Sequence, residues 1–159
     1  MSRQKVASIA IIACALTGIM ESCSDKHDDF GDFNPLPAAG WAYGDTVSFN
    51  VHGLRNLPPA GRRSLKIGVR HHNDYAYRNL IMEVTYTDGM RLVRDTVNME
   101  LADVYGAWLG SGVGPVYQKE ATVNTSAAIP DSSTVSVRHV MRVDTLPGIE
   151  QIGIIIEKP

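Results

Sequence analysis

A chain of 159 residues with a formal net charge of −2 and 44% hydrophobic residues can bury one sizeable core. Its near-neutral balance argues against a nucleic-acid-binding protein, which is recognised by a basic stripe or patch, and its densest basic cluster, Arg62-Arg63 with Lys66, reads as a solvated loop and strand start. Only two cysteines occur, Cys14 and Cys23, so no disulfide framework is expected to staple the fold.

Arg3 and Lys5 open the chain with positive charge, residues 6–20 are almost wholly apolar, and Glu21-Ser22-Cys23-Ser24-Asp25 then turns abruptly polar. This is the order of an export signal that ends at a cysteine made for lipid, as in a bacterial lipoprotein precursor. The apolar run falls short of the ~20 residues that a membrane-crossing helix needs, and no later segment comes close. Acyl chains, not a span, are therefore expected to anchor the mature protein. Ser22 is the small residue that processing needs just before the modified cysteine, whereas Glu21 departs from the usual pattern. Cys14, after Ile11-Ile12-Ala13, is the rival acceptor, but it leaves a short apolar core and a hydrophobic mature N-terminus. Cys23 is the preferred lipidation site, with residues 1–22 as signal peptide. Two or more acyl chains, at about 0.8 kcal/mol per buried methylene, make such an anchor stable.

Residues 23–40 are acidic at first, then rich in Pro and Gly, and read as a flexible tether. The acidic run directly after Cys23 resembles the surface-export signal of lipoproteins in the Bacteroidota; a merely solvating tether is the equal alternative. The folded domain is expected over residues 41–159.

Period-2 alternation dominates that domain, the mark of strands with one buried face. Val47, Phe49 and Val51 alternate with polar neighbours, and so do Leu65, Ile67 and Val69. Leu80, Met82, Val84 and Tyr86 share a face, and Asp88-Gly89 supplies a tight hairpin turn. Met90 and Leu92 open the return strand, and a shift of parity to Val97, Met99 and Leu101 predicts a bulge or break near Arg94-Asp95. Residues 101–105 are the one stretch allowed as a helical turn. Val135, Val137, His139, Met141 and Val143 form a further strand, and residues 152–156 a buried one. The expectation is an all-β single domain, an antiparallel β-sandwich, with a jelly roll as one form of it. No internal repeat is evident.

Residues 106–117, Gly-Ala-Trp-Leu-Gly-Ser-Gly-Val-Gly-Pro-Val-Tyr, superficially resemble a phosphate cradle. That reading fails because a dinucleotide loop follows a strand and opens a helix, and no helix start follows Pro115. Either a tight loop in which Trp108 plugs the end of the sandwich or a ligand or partner patch built on Trp108, Tyr105 and Tyr117 fits the segment. His71 and His72 are neighbours, so in a regular strand they point to opposite faces and cannot jointly grip a metal. Zinc needs three or four convergent ligands that the mature chain does not offer, and no metal site or cofactor is expected. His139 sits in an apolar parity, as a hydrogen-bonded core histidine does. Gly110-Ser111-Gly112 lacks the spacing of a nucleophile elbow, and no carboxylate pair stands out, so no catalytic residue is assigned.

The segments 71–80, 95–97, 101–112 and 141–149, in that order and spacing, resemble the gliding-motility lipoprotein family of GldH type, over nearly the whole mature chain. That family belongs to the Bacteroidota, and its members are lipoproteins that accompany the envelope machinery of motility and the associated secretion. The resemblance implies no catalytic residues. It implies a lipid-anchored, non-enzymatic accessory of an envelope motility or secretion complex, at the periplasmic or surface face of the outer membrane. Partners are then the membrane, through the lipid on Cys23, and other envelope proteins, not nucleic acid. Trp108 and Tyr75 are the residues to mutate in search of a partner surface, because aromatic anchors dominate interfaces. The alternative is a surface glycan-binding module using Trp108 and Tyr117.

Overall fold

The structure is a computed structural model that describes residues 30–54 and 61–159. The expected signal peptide and Cys23 lie outside the described residues. Among the described residues eleven strands follow in order: β1 (Phe30–Pro35), β2 (Trp41–Ala42), β3 (Val47–Asn50), β4 (Arg63–His72), β5 (Asn79–Asp88), β6 (Arg91–Glu100), β7 (Ser111–Val113), β8 (Val116–Ala127), β9 (Thr134–His139), β10 (Thr145–Leu146) and β11 (Ile149–Glu157). One sheet has the order β1-β11-β4-β8-β7, a second β3-β9-β5-β6, and a small third joins β10 to β2.

Among the eight longest strands the first pairs with the last (β1 with β11), the second with the seventh (β3 with β9), the third with the sixth (β4 with β8) and the fourth with the fifth (β5 with β6), all antiparallel. Such nested pairing is one long hairpin wrapped upon itself, which is a jelly roll. The predicted all-β sandwich is therefore correct in class and in form. Its core is what the alternation called for: Leu65, Ile67 and Val69 of β4, Leu80, Met82, Val84 and Tyr86 of β5, Val135 and Val137 of β9, and Ile152, Ile154 and Ile156 of β11 are fully buried between the sheets.

Four local expectations need correction. The stretch from residue 30 to 40 belongs to the sandwich and not to a tether. Phe30 closes the core, and the Phe33 ring lies on the outer face of the larger sheet, over Gly68 and Gly153, which pair across β4 and β11. A Cβ on either glycine would come within 2.5 Å of that ring, so the two hydrogens make the seat. An aromatic ring over strand glycines restores packing that the missing side chains forfeit.

The β5–β6 register runs unbroken from Asn79 opposite Glu100 to Asp88 opposite Arg91, with no bulge at Arg94-Asp95. The parity shift had another cause: Met90 and Leu92 stand in solvent, while Val93, Asp95, Val97 and Met99 share the inward parity throughout β6. Asp95 Oδ2 accepts a 2.6 Å hydrogen bond from the Tyr86 hydroxyl, which in turn accepts one of 2.8 Å from Asn124 of β8. Burial, then the bond to Asp95, pushes the Tyr86 phenol up to about 12. The hairpin loop is Gly89-Met90, one residue later than expected, and Gly89 has φ +63° while Met90 keeps a negative φ, as a type II′ turn requires. Residues 101–105 form no helix; Asp103 Oδ1 instead accepts the amides of Tyr105 (2.8 Å) and Ala107 (2.9 Å), an Asx-type turn.

All strands run between two ends. At the proximal end the chain comes in at Phe30, which pairs with Ile156, itself opposite Leu65. Ala127 pairs with Arg63 there, and the β5–β6 turn is tied in through Gly89 N to Ala128 O (2.7 Å) and Ala128 N to Asp88 Oδ1 (2.8 Å). The distal end carries the connections 36–46, 73–78, 101–115 and 140–148.

Candidate functional site

The distal end is where the sequence placed its chemistry. His71, the last inward position of β4, is fully buried, and three aromatic rings close around it: Trp108 with ring centroids 4.7 Å away, Tyr75 at 5.9 Å and Tyr117 at 5.9 Å. Tyr77 extends the cluster, 5.7 Å from Tyr75. Each ring comes from a different local device. Tyr117 is opposite His71 in the β4–β8 register, and an isolated bridge between Ala102 and Trp108 folds the Asp103 turn back so that Trp108 reaches inward. Tyr75 is set by the β4–β5 loop, where its hydroxyl donates to Asn79 O (3.1 Å). Gly148, at φ +86°, gives its carbonyl to His72 N (2.8 Å) and lies so close to Tyr75 that a Cβ would meet the Tyr75 Cα at 3.0 Å. A Pro-Gly pair with that positive φ is the type II turn chemistry that residues 147–148 predict.

The electrostatics are those of a dry cluster. In neutral His71 the Nδ1–H donates to His72 O (2.9 Å), which leaves Nε2 buried and without a partner among the described residues. Burial holds the His71 pKa below its ordinary 6.5 and pushes the Tyr75 phenol well above its ordinary 10. His72 points the other way, 3.7 Å from Glu150, as alternation on a strand requires.

A twin arrangement ends the other sheet. His139 closes β9, fully buried, with Nε2–H donating to Trp41 O (3.1 Å) and Nδ1 without a partner among the described residues. Trp41 and Tyr43 pack edge-on at 5.2 and 5.6 Å, and burial lowers this histidine too. Trp41 Nε1 donates to Asp45 O (3.1 Å).

Two open hollows flank the rings. A groove of about 450 Å³ on the outer face is lined by Arg70, Ser111, Gly112, Val113, Gln118 and Glu150, with Arg70 donating to Gln118 (3.0 Å). A smaller hollow of about 250 Å³ lies by Tyr43, Met141 and Arg142. Among the described residues no group of three or more His, Cys, Asp or Glu side chains is placed to hold a metal.

The residues singled out from sequence thus divide. Trp108, Tyr117 and Tyr75 come together around His71, half-buried or buried, while Tyr105 stands apart at the tip of the Asp103 turn, 92% exposed beside Val104 at 71%. Sequence reasoning missed His71 as the centre of the cluster; its place as the fourth apolar-parity position after Leu65, Ile67 and Val69 was the available signal. Among the described residues the exposed large hydrophobics are Tyr43, Tyr77, Val104, Tyr105 and Val113 at the distal end and Met90 and Leu92 at the β5–β6 turn. Charge is concentrated elsewhere: Glu83, on the outer face of the smaller sheet, accepts from Arg138 (2.8 Å), and that bond holds its carboxyl below the ordinary range.

Comparison with solved structures finds a family 35 carbohydrate-binding module from Clostridium thermocellum, 14% identical, covering 80% of this chain and 91% of that one at a TM-score of 0.37. An exo-β-1,3-galactanase from Phanerochaete chrysosporium is 15% identical, with 82% of this chain and 27% of that one covered, at 0.35. Comparison with curated proteins finds a "Gliding motility lipoprotein GldH homolog" of Christiangramia forsetii, 26% identical over 162 residues, or 95% of this chain and 96% of that one. The family described as GldH lipoprotein matches residues 29–156, the whole sandwich from the strand that the Phe33 ring seats to the last strand of the core, and the chain belongs to that family.

Proposed function

We propose that this protein is a lipid-anchored lipoprotein of the cell envelope, held at its proximal end through Cys23, that acts without catalysis as a docking accessory of an envelope motility or secretion complex. The family and the relative named for gliding motility support the setting. The observation that carries the docking role is the distribution of exposed apolar side chains. Five of them, Tyr43, Tyr77, Val104, Tyr105 and Val113, crown the end opposite the one where the chain comes in from Cys23. Exposed aromatic side chains on a rigid frame are the usual anchors of a protein partner. The segments 71–80, 101–112 and 141–149, which carry the family resemblance, contribute to the same end.

The test is cross-linking of the lipidated protein in intact cells and mass spectrometry of what co-purifies, with Cys23→Ala and Tyr105→Ala forms alongside. The reading predicts envelope proteins that are lost in both variants. Saturable binding of glycans that Trp108→Ala removes with folding intact, and no protein partner, would replace docking by sugar recognition.

A further inference from the structure

The proximal end holds its own apolar feature. In the two-residue loop between β5 and β6, Gly89 takes the conformation that the turn demands, and Met90 beside it is 101% exposed; Leu92, two residues on, is 73% exposed, with Arg91 exposed between them. Nothing in the turn requires an apolar residue at either place. The acids of this end are engaged by the fold: Asp88 accepts the Ala128 amide, Asp131 the Leu54 amide, and Glu157 pairs with Lys66.

We propose that this hairpin tip is a membrane-contact element, in which Met90 and Leu92 enter the headgroup layer of the bilayer that holds the lipid, with Arg91 against its phosphates. The inference rests on the lipid-anchor reading. Its support is geometric. Gly89 is hydrogen-bonded beside Ala127–Arg63, while Phe30 lies level with Leu65, so the tip projects roughly three residues, about 10 Å, beyond the point where the chain comes in. The seven residues from Cys23 to position 29 reach at most about 24 Å, so the acyl chains and the tip meet the same surface. Two side chains are far too little for a protein interface, which needs on the order of 1,000 Å². They are the right size for a second, weak membrane signal beside a lipid. Asp25, Asp28 and Asp29 precede the domain, so the apolar side chains and not net charge supply the attraction. Two contacts, lipid and tip, fix the tilt of the sandwich and turn its distal end away from the bilayer.

The experiment uses the full lipidated protein. With Cys14 removed in the signal and Cys23 acylated, one introduced thiol is the only site for a dye. Met90→Cys and Tyr105→Cys forms are each labelled with an environment-sensitive dye and reconstituted into phosphatidylethanolamine–phosphatidylglycerol vesicles carrying spin-labelled quencher lipids. The expected result is quenching several-fold stronger at position 90 than at 105, and tumbling of the membrane-bound domain that loosens in Met90→Ser/Leu92→Ser. Protein that floats with the vesicles but is quenched equally weakly at both positions overturns the membrane contact and leaves the anchor standing. Protein that does not float overturns the anchor and the contact with it.

Discussion

The two ends of the sandwich are closed by different physics. The distal end is packed with rings: two buried histidines, one ending each sheet, each tied by hydrogen bonding to backbone and otherwise surrounded by Trp and Tyr. The proximal end is closed by carboxylates capping loop amides and by a tight hairpin, with single apolar side chains left outside. Ring packing gives a rigid frame on which exposed side chains can be presented, whereas short capped turns let a tip project. The difference teaches that the surface proposed for a partner and the tip proposed for the membrane are built separately, and each substitution below is a way to separate them.

The largest effect is expected from Trp41→Ala, which empties a fully buried site beside His139: a loss of about 3–5 kcal/mol in urea unfolding, with the distal end lost as a unit. An unchanged midpoint contradicts the ring-packed account. Next, Phe33→Ala should cost about 2 kcal/mol by uncovering Gly68 and Gly153, although it lies in a stretch that reads as a tether.

The pH dependence is smaller and belongs to the distal end. The pKa values of both histidines are lowered in the fold, so the unfolded chain takes up protons first as pH falls below 6.5, and stability present above that value is lost progressively below it. The slope is at most about 1.4 kcal/mol per pH unit for each histidine, read as a falling melting temperature, and His139→Gln should make it shallower. Glu83, held low by Arg138, adds its loss only below its ordinary 4.5. Smallest of all, Tyr105→Ala and Met90→Ser should each change stability by less than about 0.5 kcal/mol, because both side chains stand in solvent. The first should lose protein partners and the second membrane proximity; a stability loss of several kcal/mol in either would show that it serves the fold instead.

Much of this architecture was legible in the chain. Strands β3, β4, β5 and β9 followed from alternation, because each has one face sealed between the sheets, and β11 from its dense apolar run over residues 152–156. Strand β8 was not seen: its inward positions include Lys119 and Asn124, and a register shift opposite Leu65 breaks the period. Strand β1 hid behind its acidic, Gly- and Pro-bearing composition, because the value of Phe33 lies in two glycines more than thirty and more than a hundred residues away, which no local pattern displays. Trp108 and Tyr117 were visible as candidates, but their convergence on His71 depends on the β4–β8 register and the Ala102–Trp108 bridge, both long-range pairings. The bulge expected near Arg94-Asp95 is absent because Met90 and Leu92, whose parity suggested it, stand in solvent, and no local pattern tells an exposed apolar side chain from a buried one.

The most direct measurement is photo-cross-linking in intact cells with a benzophenone amino acid placed at position 105 or at position 90, the adducts sorted by mass spectrometry into protein and lipid. The two-ended account predicts protein adducts from 105 and lipid adducts from 90. Lipid at 105, or the same protein partner at both, would contradict it.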